Sequence, residues 1–210
     1  MPIERCLRGY AIDPSVAQRL DTASIAEVVF RVPWEEVCPG PVGEYVEVID
    51  YDPVAGCFYA PVDLDERGVL ADRGLPPSEG VPQFHQQMVY AVASLTIRNF
   101  EHALGRRALW SHGPGEHEYD DSRYVQRLRI YPHALREANA YYSPAKKALL
   151  FGYFAAPEPE GGAPAGMVFT CLSHDVIAHE TTHALLDGLH RRLGQPTNPD
   201  MLAFHEAFAD

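Results

Sequence analysis

The chain has 210 residues, of which 46% are apolar, and its formal net charge is −12. This length and composition suit one sizeable packed domain, or one domain with an extension. Such acidity leaves no basic surface to replace the counterions of nucleic acid, so we expect no nucleic-acid partner. No apolar run approaches the length of a membrane span, and the N-terminus lacks the apolar segment of a secretory signal. We therefore expect no membrane association, a cytoplasmic location and reduced cysteines.

Residues 1–80 are rich in proline, glycine and acidic side chains. Two strand candidates stand out, at Glu27–Val32 and at Tyr45–Tyr51. The residues from Tyr51 to Tyr59 predict a strand, a turn and a strand, because Asp-Pro and Gly interrupt the apolar pattern. We interpret residues 1–80 as a strand-rich N-terminal extension without chemistry of its own.

Residues 74–82 contain three prolines and two glycines and predict a linker. A long helix is predicted after it, and Gly105 can end that helix. Its apolar residues recur at helical spacing: Phe84, Met88, Val92, Leu95, Phe100 and Leu104. We interpret this stripe as core. We expect His85 and His102, on the same helix, to be surface or hydrogen-bonded histidines and not ligands.

A polar loop is predicted from Trp110 to Asp121. It holds two histidines, His112 and His117, among four acidic residues. A metal-binding loop and a solvated loop are both compatible with this composition, and the lack of recurring ligand spacing favours the solvated loop. The predicted elements that follow are strands at 124–131, 139–143, 147–154 and 167–172, a helix to about Leu193, and a last helix opened by Pro199 or Asp200.

Residues 179–183 read His-Glu-Thr-Thr-His. On a helix, His179 and His183 lie on one face, so both imidazoles can reach one metal ion. Glu180 follows the first histidine and can accept a proton from an attacking water. The alternative to a metal site is a partly buried amphipathic helix whose two histidines are hydrogen-bonded to neighbouring groups. Asp175 can cap this helix, or its negative charge can interact favourably with the positive N-terminal end of the helix.

A third ligand is expected from the end of the chain, where Glu206 and Asp210 lie four residues apart. Glu206 can supply a carboxylate oxygen and leave one metal position open, as catalytic zinc requires. Asp210 lies one turn later and can orient a ligand histidine. The alternative for Glu206 is a solvated carboxylate on an ordinary helix.

Other third ligands fit less well. The pattern that continues to a third histidine needs Gly and His where this chain has Leu186 and Leu189. His190 lies about 10 Å from His183 along the helix axis, so it cannot bind the same ion. It can border the cleft, or it can be a surface or capping residue. His205 projects about 100° from its neighbour Glu206 and is expected to face elsewhere.

These residues resemble the thermolysin-like zinc metallopeptidases, whose third ligand is glutamate. The resemblance covers roughly residues 85–210, and it is carried by five segments: Asp175–Ala184, Asp187, Glu206–Asp210 and, more weakly, Asn139–Tyr142 and Lys147–Gly152. It implies an α+β fold with a mixed or antiparallel sheet, a long core helix and a zinc-binding helix. Residues 81–210 would then be the N-terminal catalytic subdomain, cut short at its C-terminus.

The resemblance also implies functional roles. Zinc would be bound by His179, His183 and Glu206, with Asp210 orienting a ligand histidine, and Asn139 and Ala140 would hold an extended peptide by strand addition. An ordinary edge strand is the alternative for the last two residues. A helical second domain that supplies an oxyanion-stabilising histidine is expected after residue 210. The resemblance would also assign Asp175 to a calcium site, whose partner carboxylates are expected beyond residue 210.

The sequence thus predicts a zinc endopeptidase that acts on peptide or protein substrates, with Glu180 as its general base. The alternative is a non-catalytic relative that binds zinc or peptide without turnover. That alternative is motivated by the missing oxyanion donors and by the missing export signal, since members of the family are mostly exported.

Overall fold

The computed structural model describes residues 3–14, 25–112, 125–157, 166–190, 193 and 198–210. Nine strands occur among these residues: β1 (Glu4–Tyr10), β2 (Glu27–Pro33), β3 (Val46–Val48), β4 (Tyr51–Asp52), β5 (Cys57–Phe58), β6 (Leu128–Leu135), β7 (Ala140–Ser143), β8 (Ala148–Ala155) and β9 (Met167–Phe169). The named helices are α1 (Arg67–Ala71), α2 (Pro82–Leu104), α3 (His174–Leu189) and α4 (Pro199–Ala209). The protein is therefore α+β, as the sequence predicts.

The central sheet is mixed. Its strand order is β3-β6-β8-β7, and β9 also pairs with β8. The β3–β6 and β6–β8 pairs are parallel, whereas β7 and β9 run antiparallel to β8. In this order β7 pairs with one neighbour only and lies at an edge. Its outer backbone groups are thus free to meet another element or an extended ligand.

Helix α2 is the core helix that the apolar spacing predicts. Phe84, Met88 and Val92 are buried beneath the sheet and the N-terminal strands. The helix ends at Gly105, whose φ of 64° is left-handed and whose N–H donates to the Glu101 carbonyl. A left-handed residue at this point stops the helix, and glycine adopts it without strain.

The N-terminal stretch packs on the same core. β1 and β2 form an antiparallel pair that contacts α2, and Leu7 and Phe30 are buried there. β1 is not among the strands that the sequence predicts, because Arg5 is buried in it while Cys6 is more exposed. The Arg5 guanidinium donates to the Leu64 carbonyl at 2.6 Å and to Asp65 at 2.7 Å. A buried arginine whose two terminal nitrogens are hydrogen-bonded therefore hides the alternation that usually reveals a strand.

Several predicted boundaries are wrong. The candidate strand 45–51 is two strands, β3 and β4, separated by two residues. The strand predicted at 124–131 begins at Leu128 and continues to Leu135, with a register shift after Tyr131. The strand predicted at 167–172 ends at Phe169 and continues as a 3-10 turn, Thr170–Leu172. α3 stops at Leu189 because His190 is extended, with φ −159°.

Some predictions fall outside the described residues. They concern the loop from residue 113 to 121, which includes His117, and parts of the connections at 158–165 and 194–197. All four cysteines are described and are free thiols. In the described part of the chain, no helix is long and apolar enough to cross a membrane.

Gly152 holds the start of the edge strand in place. Its N–H donates to the Asn139 carbonyl at 2.9 Å. A Cβ at this position would overlap the Glu137 carbonyl oxygen and lie 2.6 Å from that of Asn139. Close backbone contact of this kind requires glycine.

Gly152→Ala is therefore expected to destabilise the protein by about 1–3 kcal/mol, the usual cost of overpacking. Urea unfolding of the purified variant measures this. Gly80→Ala is the matched control, because a Cβ at Gly80 meets no atom within 4 Å. Equal stability of the two variants would show that the backbone near Asn139 shifts to accommodate the added methyl group at little cost in free energy.

Candidate metal centre

The two histidines of α3 point at a common position. His179 Nε2 and His183 Nε2 are 3.0 Å apart. Glu206 approaches both, with one carboxylate oxygen 3.3 Å from His179 Nε2 and the other 3.7 Å from His183 Nε2. The three ligand atoms lie within 4.8 Å of one another. Ligands of a tetrahedral zinc ion are separated by roughly 3.3 Å at Zn–N distances near 2.0 Å, so these residues fit one ion with small shifts.

Helix α4 carries Glu206 to the histidines. Asn198 caps its start, accepting a hydrogen bond from the Met201 N–H at 2.8 Å, and Pro199 occupies the first turn. Both features favour helix initiation at this point. α4 packs against α3, and Glu206 stays 68% exposed at the side-chain level. The carboxylate ligand is thus open to solvent, while both histidines are largely covered.

Asp210 contacts the first histidine from behind. Its carboxylate accepts a hydrogen bond from His179 Nδ1 at 2.9 Å. A proton held on Nδ1 leaves the lone pair on Nε2, which faces Glu206 and His183. The pair therefore sets the tautomer that a metal ligand needs.

His205 contradicts the sequence expectation that it faces elsewhere. Its ring stacks on His183 with centroids 5.1 Å apart, and its Nδ1 lies 2.9 Å from His183 Nδ1. The face of α4 that packs on α3 is wide enough to include two consecutive residues, so both His205 and Glu206 reach the histidine pair. Nε2 of His205 is buried and has no partner among the described residues.

Glu180 is held beside the ligands by the edge strand. The Tyr142 N–H donates to its carboxylate at 2.8 Å. Burial raises the pKa of Glu180, and the Tyr142 hydrogen bond and His179 oppose this effect only in part. For His183, burial and the neighbouring His179 lower the pKa, which favours the neutral imidazole that binds metals. A carboxylate with a raised pKa next to a metal position is suited to proton transfer.

Asp187 lies seven residues after Glu180 on the same face of α3, and it is also held by hydrogen bonds. It accepts hydrogen bonds from the Tyr142 hydroxyl at 2.7 Å and from Lys147 Nζ at 2.9 Å. Lys147 also contacts Ser111. Burial acts to raise the pKa of Asp187, but the hydrogen bonds from Lys147, Tyr142 and Ser111 outweigh it, so the pKa is lowered.

Two clefts meet at Glu180 and His179. One encloses about 340 Å³ and extends past Tyr141, His183 and His205. The other encloses about 400 Å³ and extends past Asn139, Thr170 and Asp210. Ala140, His179 and Glu180 line both. The candidate metal position therefore lies at the middle of a groove that follows β7, where an extended chain would pass it.

The two predicted peptide contacts, Asn139 and Ala140, differ in what they can offer. Asn139 uses its carbonyl to accept from Gly152 N, so its backbone is directed at β8. Directions alternate along a strand, and the Tyr142 N–H points away from β8 to Glu180, so the backbone groups of Ala140 also point to the open edge. Ala140 can thus pair with an added strand. The exposed Asn139 lines one cleft and can contribute only its side chain.

Two other candidates, His190 and Asp175, are not among the three converging ligands, although Asp175 lines one of the clefts. His190 is exposed, follows the end of α3 and lines neither cleft. Asp175 lies in the first turn of α3 with a fully exposed side chain, 3.3 Å from His174. Its side chain does not cap the helix. Its negative charge lies in the first turn, where it interacts favourably with the positive end of the helix dipole.

The chain matches no protein-family model, and no curated protein sequence is significantly similar to it.

Asp210 is expected to strengthen metal binding without being a ligand. Asp210→Asn should raise the dissociation constant for Zn²⁺ about 10–100-fold, the usual effect of removing a hydrogen-bonded carboxylate behind a ligand histidine. Competition with a chromophoric chelator measures this. Asp200→Asn, in the exposed first turn of the same helix, is the control. Equal affinities in the two variants would exclude the role assigned to Asp210.

Asp187 is expected to stabilise the fold above acidic pH. Its pKa in the folded state lies below the ordinary value of 3.8, so its contribution is complete above that value and is lost as the pH falls through the lowered pKa. Asp187→Asn should cost about 1.5–3 kcal/mol at pH 7, and much less below the lowered pKa.

Urea unfolding of both proteins at neutral and at strongly acidic pH tests this expectation. Asp175→Asn is the control on the same helix, and its effect should stay below about 1 kcal/mol. A difference between parent and Asp187→Asn that does not shrink on acidification would argue against the charged hydrogen bonds.

Proposed function

We propose that this chain carries the catalytic centre of a zinc-dependent endopeptidase of the thermolysin-like kind. The observation that carries the proposal is the position of Glu180. Its carboxylate is held by the Tyr142 N–H of an edge strand, next to two histidines and a glutamate that converge on one point. A base, a metal position and a strand edge in one groove are the parts that peptide hydrolysis needs.

The donor set favours zinc among common metals. Two imidazole nitrogens and one carboxylate are the ligands of many catalytic zinc sites, whereas Mg²⁺ and Ca²⁺ prefer oxygen ligands alone. His179, His183 and Glu206 would hold the ion. When bound, zinc polarises the scissile carbonyl and lowers the pKa of a water to about 7.

The residues of the chain supply the other steps. The outer edge of β7 binds the substrate backbone at Ala140 and directs the peptide along the groove. Glu180 accepts the proton of the attacking water and then donates a proton to the leaving amine. Asp210 keeps His179 in one tautomer. Tyr142 fixes the Glu180 carboxylate toward the groove, which reduces the reorganisation needed for proton transfer.

The proposal includes two further elements, a peptide or protein substrate and a helical domain that completes the groove. Three large apolar side chains of α4, Leu202, Phe204 and Phe208, are about half exposed. An adjoining domain would cover them and could supply donors for the oxyanion. The competing proposal is that the protein is a non-catalytic relative of these peptidases, which binds zinc or peptide without cleaving the peptide.

Glu180→Gln is expected to bind as much zinc as the parent chain and to lower the rate of peptide hydrolysis about 10²-fold or more, since a general base contributes at least this much. Zinc content is measured by elemental mass spectrometry and hydrolysis with a quenched fluorescent peptide library. Glu137→Gln, an exposed glutamate near the groove, is the control.

Glu206→Ala should lose the cleft zinc and the hydrolysis together. Hydrolysis that persists in Glu180→Gln at the rate of the parent would exclude the assigned base. A parent chain that binds zinc and peptide but never cleaves would support the non-catalytic relative.

A further inference from the structure

Three potential metal ligands converge in the core, outside the groove. They are His85 of α2, His133 of β6 and Cys171 of the 3-10 turn that precedes α3. Their ligand atoms lie within 4.8 Å of one another, and the residues are 1%, 2% and 0% exposed. His85 was expected to be a surface or a hydrogen-bonded histidine, and it is buried and contacts His133 and the Glu79 carbonyl.

The two histidine rings face each other at hydrogen-bonding distance. His85 Nδ1 and His133 Nε2 are 2.8 Å apart. On their outer sides, His133 Nδ1 contacts the Asp50 carboxylate at 2.6 Å and His85 Nε2 contacts the Glu79 carbonyl at 3.0 Å. If both outer nitrogens donate to these oxygens, the two inner nitrogens carry only lone pairs. Two lone pairs at this distance repel unless a cation lies between them.

The cation can be a proton or a metal ion. A proton shared by Asp50 and His133 would satisfy both rings, but it would need no third ligand. Cys171 nevertheless brings a thiol to the same point from a different element. The His179 and His183 pair shows the same pattern, with inner nitrogens 3.0 Å apart and an outer nitrogen bonded to a carboxylate. Convergence of a sulfur on two such nitrogens favours a metal.

We propose that His85, His133 and Cys171 form a second zinc site, which lies in the core and is distinct from the candidate centre in the groove. Two imidazoles and one thiolate suit Zn²⁺ and are poor ligands for Mg²⁺ or Ca²⁺. Asp50 orients His133, and Gln86 in turn donates to Asp50 at 2.8 Å. Outer hydrogen bonds of this kind fix the ligand tautomers at zinc sites.

Charge balance supports the site. The side chains of Asp50 and His133 are each 2% exposed, so an uncompensated charge here would be costly. A zinc ion, the Cys171 thiolate and the Asp50 carboxylate sum to zero charge.

The thiol must lose a proton when the ion binds. Zinc binding therefore forms one Zn–S bond and releases one proton to solvent. No oxidant or reductant is involved.

The site would join three parts of the core. His85 belongs to the long helix, His133 to the central sheet, and Cys171 to the turn that leads into α3. Because all three residues are buried, the ion would enter during folding and resist chelators afterwards. The groove ligands differ, since Glu206 is 68% exposed.

The test removes the groove ligands first, so that the two sites are counted separately. The 210-residue chain with His179→Ala and Glu206→Ala is folded in the presence of zinc and dialysed against EDTA. We expect about one zinc per chain to remain. Adding Cys171→Ser should lower the retained zinc about tenfold or more, as loss of a ligand requires. Cys38→Ser, at an exposed thiol, should change nothing.

Zinc absent from the double variant after folding would overturn the proposal. This result leaves the proposed function intact if the parent still binds zinc in the groove. The reverse failure, a buried zinc without a groove zinc, would count against the peptidase alone.

A second measurement does not depend on the variants folding. The parent chain is refolded with Co²⁺, and its near-ultraviolet absorption is recorded. Only a thiolate ligand gives an intense sulfur-to-cobalt charge-transfer band, and the groove ligands contain no sulfur. A band that survives EDTA and persists in Cys38→Ser supports the site. Its absence in the refolded parent overturns it.

Discussion

Tyr142 ties the edge strand to the metal-binding helix at two points, and the geometry of the groove depends on this pair of hydrogen bonds. Its N–H donates to Glu180 and its hydroxyl donates to Asp187, seven residues further along α3. Two contacts nearly two turns apart fix both the height and the rotation of a helix against a strand. The strand edge, the base and the histidine pair therefore share one rigid frame.

The interactions behind this frame are mainly charge-assisted. Lys147 and Tyr142 both donate to Asp187, and β8 supports β7 from behind through Gly152. Hydrogen bonds to a partly buried carboxylate are stronger than neutral ones, and they are costly to break because one partner is then left unpaired. Charge-assisted hydrogen bonds therefore lie beside the groove, where the positions of the side chains matter most for chemistry.

The sequence predicts those parts of the molecule that depend on local spacing. The long helix, the edge strand and the grouping of His179, His183, Glu206 and Asp210 all follow from periodicity or from a short motif. The sequence does not predict β1, because one of the buried positions of this strand holds an arginine. It does not predict the position of His205, because the face of α4 that packs on α3 includes two consecutive residues. The His85, His133 and Cys171 cluster has no spacing signal at all, since its members are 48 and 38 residues apart in sequence. Only tertiary packing brings such residues together.

The candidate ligands in the groove come from two helices that differ in burial. α3 is packed into the core, whereas α4 has no buried residue among its eleven and rests on α3 and on one ring contact between Phe208 and Phe100. An ion bound by residues of both helices would hold α4, the less buried helix, against α3. Its apparent affinity would then be the intrinsic affinity multiplied by the fraction of molecules in which α4 is docked. Anything that covers the apolar side of α4 would raise that fraction, so metal occupancy would report on assembly at a surface that the metal never touches.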